Sequence, residues 1–156
     1  MTAQQFMAEH VERMGHSMAD YVGSTDPVYL TSGIETKGGE PTRSVLELVS
    51  ECVLVNHYFA GLLKGENPPK PGALTFANAK DAQDQIIASA TVLADAMRHS
   101  ADGVFEHEFP HWRGPMSGRI IMMGAYRNMA YHCGQINFVQ ILGGDHEFHM
   151  PVSWLK

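Results

Sequence analysis

The chain has 156 residues, 44% of them apolar and 18% charged, which is enough to bury the core of one domain and too little for two. Eleven Lys and Arg against seventeen Asp and Glu leave a formal charge of −6, and no basic run gathers to neutralise phosphates, so a nucleic-acid partner is not expected. Apolar stretches break within about a dozen residues, short of the ~20 that span a bilayer, and the polar start lacks the basic and apolar regions of a signal peptide; no membrane partner is expected, and a cytoplasmic location with Cys52 and Cys133 reduced is.

Gly and Pro punctuation divides the chain into four helix-like blocks. The first covers residues 4–22, with Phe6, Val11, Met14 and Met18 recurring at spacings near three and four, and ends at Gly23. Residues 24–41 carry Pro27, Gly33, Gly38, Gly39 and Pro41, a long connection with room for one short helical turn and a length suited to a lid. The second block starts with Thr42 as N-cap and runs to residue 64, where Gly65 and the cluster Pro68, Pro69 and Pro71 stop it. The third covers 78–100, with Ile86, Ala90, Leu93 and Met97 on one stripe and Gly103 closing it. Residues 104–114 contain Pro110 and alternate somewhat, which reads as a loop or one short extended stretch. The fourth block follows Pro115, reaches Leu142 and stops at Gly143 and Gly144; the tail 145–156 reads as a surface-packed extension. Four helices in one chain of this length predict an all-α protein, a four-helix bundle over residues 1–156 as one domain, with long connections between helices 1–2 and 3–4.

Polar residues inside the apolar stripes are the informative ones, because an unpartnered buried polar group costs about 1–3 kcal/mol. In the second block Leu48, Val55, Tyr58 and Leu62 share a face and Glu51 interrupts it, so its carboxylate requires a hydrogen bond, an ion partner, a metal or a proton. In the fourth block Ile121, Ala125 and Val139 define a similar stripe, interrupted by Asn128, His132 and Gln135 at i, i+4 and i+7. If the two stripes face each other, Glu51, Asn128 and His132 converge as bundle-core metal sites do. His57 lies roughly 120° around the helix from Glu51 and is expected off that face.

The run Asn128-Met-Ala-Tyr-His132-Cys-Gly134-Gln135-Ile136, followed by Gly143-Gly-Asp145, resembles the last helix of the DinB-like (damage-inducible protein B) superfamily, where His-x-x-x-His-x-Gly-Gln-Ile/Leu is typical. The segment from Ser44 to Glu51 is similar to the family's second helix, in which a Ser or Thr precedes a ligand His by seven residues. The resemblance implies a four-helix bundle, commonly a homodimer, that holds a divalent metal on three His of helices two and four. It also implies relatives that are thiol-dependent transferases or isomerases. This chain departs at two of the three positions: the ligand set becomes Glu51, Asn128 and His132, and Asn is a weak neutral ligand.

Two functional expectations follow. One is a DinB-like enzyme of the thiol-transferase or isomerase type, with Zn, Ni or Mn at Glu51, Asn128 and His132 acting as Lewis acid on a small-molecule or thiol ligand. The other is a dimeric binding or stress-associated module without metal, in which Glu51 and His132 pair directly. Gly134 is expected to allow close helix approach and Gln135 to hydrogen-bond across helices. His107 and His111, split by Pro110, are expected in a solvated loop with Glu106 and Glu108, and His146, Glu147 and His149 on the surface. Cys133 and His132 point about 100° apart, which disfavours a nucleophilic dyad; both cysteines read as small buried residues. Neither nucleotide-binding glycine motifs nor hydrolase signatures occur.

Overall fold

Capping chemistry fixes where the helices begin. A computed structural model describes residues 1–155, 63% of them helical in five α-helices and two short 3-10 turns. Helix α1 (Ala3–Gly23) starts at Thr2, whose hydroxyl accepts the Gln5 N–H while the Gln5 side chain accepts the Thr2 N–H. The short α2 (Pro27–Thr31) is capped by Asp26, with Pro27 in its first turn. Helix α3 (Val45–Leu63) starts at Ser44 in the same reciprocal arrangement with Glu47. Asn78 caps α4 (Ala79–Arg98), and α5 (Gly118–Leu142) follows Ser117.

The cap of α3 is therefore Ser44 and not Thr42. Ser44 has the Glu three residues later that completes a capping box, and Thr42 is engaged backwards. Its N–H donates to the Ile34 carbonyl at 2.8 Å, and its hydroxyl accepts the Ile34 N–H at 2.8 Å, closing the base of the 34–42 loop. Of the two readings of residues 104–114, the short extended stretch is the one that forms, within a segment that reaches residue 117. A 3-10 turn (Val104–Glu106) leads into a two-residue antiparallel ladder, β1 (Glu108–Phe109) against β2 (Met116–Ser117), with Pro110 placed in the turn where it removes no ladder bond.

Each long helix packs on two others: α1 on α4 and α5, and α3 on the same pair. The core lies between them and forms one cluster. Ile86, Ala90, Leu93 and Met97 of α4 are buried as their stripe predicts, and so are Met122, Met129 and Ile136 of α5. On α1 the buried face runs through Met7, Val11, Met18 and Val22. Phe6, expected inside, is 49% exposed because it sits one residue, about 100°, off that line, and its ring rests on His10 at 4.1 Å. Among the described helices only α3 is long and apolar enough to cross a membrane, at mean hydropathy 1.3, and 67% of that stretch is buried against its neighbours.

The α1–α4 contact is unusually close at Gly15, where a Cβ would lie 2.5 Å from the Ala90 Cβ. We expect Gly15→Val to destabilise the fold by about 1–3 kcal/mol through overpacking, and Ala90→Gly in the same chain to recover part of that loss. Chemical denaturation of the single and double variants checks both.

Candidate functional site

Glu51 lies two turns into α3, and His132 lies midway along α5. The packing of these helices brings the carboxylate Oε1 to 3.2 Å from the His132 Nε2. The ring is nearly closed from solvent, with 5% of its side chain exposed, while the Glu51 side chain keeps 41%. On its other edge, Nδ1 stands 2.6 Å from the Gln135 Oε1. Acceptors thus face both ring nitrogens: a neutral ring donates to one, a protonated ring to both. Gln135 consequently braces a residue one turn back on its own helix and does not bridge helices as expected.

The second Glu51 oxygen accepts a hydrogen bond from Arg43 Nη1 at 2.6 Å, and Arg43 Nη2 donates to the Glu47 carbonyl at 2.7 Å. Arg43 was not among the sequence candidates. The signal was present, because a cation just before a helix N-terminus opposes the helix dipole and calls for an acidic partner within reach. Partial burial raises the Glu51 pKa, but the hydrogen bonds and charges of Arg43 and His132 outweigh it and hold the carboxyl below its ordinary value.

Asn128, the third expected ligand, turns its amide N–H onto the Cys52 sulfur at 3.6 Å. Cys52 is completely buried and Cys133 nearly so, and neither is in a disulfide. Burial pushes the Cys52 thiol well up and that of Cys133 to about 12, so at neutral pH both stay protonated and poorly nucleophilic. Gly134 is exposed, and a Cβ there would meet nothing within 4 Å, so within one chain it permits no close helix approach.

The remaining candidates lie apart from this site. His57 is exposed. Glu106 pairs with Arg119, and His149 with Asp145 at 2.6 Å. The tail does pack on the surface: the Trp154 indole N–H donates to the Ser17 hydroxyl of α1 at 3.0 Å. His111 is the exception, since its ring stands edge-on to Tyr58 of α3 and stacks on Trp112, with centroids 5.3 Å apart in each case.

Two clefts flank the polar group. One, of about 710 Å³, runs along α3 toward Tyr58, Leu74 and Trp112; the other, of about 840 Å³, opens between Thr42 and the Tyr131–Phe138 face of α5. Arg43, Glu51 and Asn128 line both and so form the wall between them.

A resident ion of the zinc type does not fit this donor set. The 3.2 Å between Glu51 and His132 is near the ~3.3 Å that two ligands of a tetrahedral ion keep, so spacing alone decides nothing. Three other features decide it: one imidazole where a tight site uses several, a neutral amide as third donor, and a guanidinium already bound to the carboxylate. Among the described residues no three His, Cys, Asp or Glu side chains gather as a metal-holding group. No family model matches the chain, and no curated protein matches it.

The pH dependence follows from Glu51. A carboxyl with a lowered folded pKa contributes stability above its unfolded value, near 4.5, and loses it as pH falls through the folded value. The stability difference between wild type and Glu51→Gln is therefore largest above about pH 5 and shrinks toward pH 3, as read from urea midpoints across that range.

Proposed function

We propose that the protein is a DinB-like four-helix bundle that works as a metal-free, dimeric binding module, taking a small molecule in the cleft beside α3. The observation that carries this reading is the Arg43–Glu51–His132 chain. At the positions where the resemblance implies metal ligands, a carboxylate is held between a guanidinium and an imidazole and needs no ion to be satisfied. Thiol transfer or isomerisation, the activity the resemblance implies, relies on a metal to lower the pKa of the incoming thiol. The fit of the donor set argues against that activity here. The two free cysteines agree with a reducing, cytoplasmic setting.

The homodimer has its own support on α5. Ile120, Met123, Tyr131, Phe138 and Ile141 are exposed, and with Arg127 and Gly134 they recur every three or four residues along one helix face. Antiparallel pairing of two such faces sets Ile120 against Ile141 and Met123 against Phe138. It also sets the long Arg127 side chain against the open Gly134, a self-complementary match of the kind a two-fold interface needs.

Elemental analysis of untagged protein is expected to find metal far below one equivalent, with the melting temperature unmoved by EDTA or by added Zn²⁺, Ni²⁺ or Mn²⁺. Near-stoichiometric metal that disappears in His132→Ala restores the metal-dependent enzyme in place of the binding module. Light scattering after size exclusion is expected to give a dimer for wild type and a monomer of unchanged helicity for Phe138→Glu. A wild-type monomer removes the dimer from the proposal.

A further inference from the structure

The cleft beside α3 has two differently charged ends. At the inner end the acids are matched: Glu47 accepts from the Ser44 N–H and hydroxyl at 2.7 and 2.9 Å, and Glu51 is held by Arg43 and His132. At the outer end the balance is opposite. Lys70, from the connection between α3 and α4, places its Nζ 4.7 Å from the centre of the Trp112 indole, and Arg113 places its guanidinium carbon 4.4 Å from the same ring. Among the described residues neither cation has a carboxylate partner.

Two uncompensated cations gathered around one indole repel each other, and the ring's negative face offsets that only in part. On a chain of net charge −6 this local excess is notable. It stands at the rim of a cavity that, besides its polar inner end, has an apolar lining of Leu54, Val55, Tyr58, Phe59 and Leu74. Both loops are fixed in place. The Ser50 hydroxyl donates to the Leu74 carbonyl at 2.8 Å and ties the 66–78 segment to α3, while His111 rests edge-on against Tyr58.

We infer that this cleft selects an organic anion, a carboxylate, sulfonate or phosphate joined to an apolar body, with Lys70 and Arg113 holding the anionic group at the rim and the α3 side chains covering the body. The inference rests on the proposed binding role of the cleft and adds the chemistry of what it takes. About 710 Å³ lies within the range of small-molecule sites, and an anion at this rim would be attracted by both cations and screen their repulsion.

A matched pair of fluorescent ligands tests this: 1-anilinonaphthalene-8-sulfonate and its uncharged parent N-phenyl-1-naphthylamine, titrated against the full chain. The sulfonate is expected to bind once per chain and more tightly than the parent. The double variant Lys70→Gln/Arg113→Gln should weaken sulfonate binding by about fivefold and leave the parent unchanged, and added salt should act in the same direction. Val55→Trp, which fills the apolar wall, should abolish binding of both. Gly72→Trp, on the exposed lip, is the second blocking variant should the first melt early. Equal affinity of the two ligands for wild type, or a double variant that binds the sulfonate unchanged, overturns the anion selectivity and leaves the cleft as a neutral site. Failure of both ligands to bind, or binding that survives both blocking variants, overturns the binding role of the cleft and the anion selectivity with it.

Discussion

A carboxylate on the inward side of a helix must find partners, and Glu51 finds one on each side. Arg43 reaches it from the linker just before α3, and His132 reaches it from α5, 81 residues further along the chain, so one acidic group ties the start of α3 to a distant helix. The exchange is balanced. Burial is the largest single influence on the Glu51 carboxyl and opposes its charge, and the bonds and charges of Arg43 and His132 together outweigh it, while the imidazole is deep enough that its polar edge depends on these bonds. The same group is the wall between the two clefts, so the electrostatics of each cleft begin at Glu51.

This arrangement bears on the metal that the resemblance implies as well as on how the polar groups satisfy one another. A metal-activated thiol requires an open coordination position and ligands free to turn toward it. Here Arg43 occupies the carboxylate and Asn128 faces a buried sulfur. Polar groups that satisfy one another make a partition between the two clefts.

Much of the fold was legible because helix periodicity and capping residues are local signals. The four blocks fell within a few residues of α1, α3, α4 and α5, and the α4 stripe is buried throughout. Where two signals competed, the more complete one prevailed. Thr42 and Ser44 are both good caps, but only Ser44 has Glu47 to answer it. Phe6 shows the opposite failure, since hydrophobicity alone does not choose between faces 100° apart. Of the site, Glu51 and His132 were legible as polar interruptions of apolar stripes. Arg43 was legible only in part: its charge before the α3 N-terminus called for an acidic partner, but which acid it meets depends on a side chain crossing two helical turns. The Lys70–Trp112–Arg113 rim was hidden for a related reason: two loops, forty residues apart in sequence, meet only once the helices have packed.

The double clasp between Ile34 and Thr42 carries a consequence for how this chain can change over time. By pinching residues 35–41 into a closed excursion, it separates the length of that loop from the position of Arg43 one residue later. Residues can be gained or lost at the tip without shifting the guanidinium away from Glu51. The linker therefore offers a region of free variation directly beside a site that tolerates little, and the boundary between the two is a single threonine.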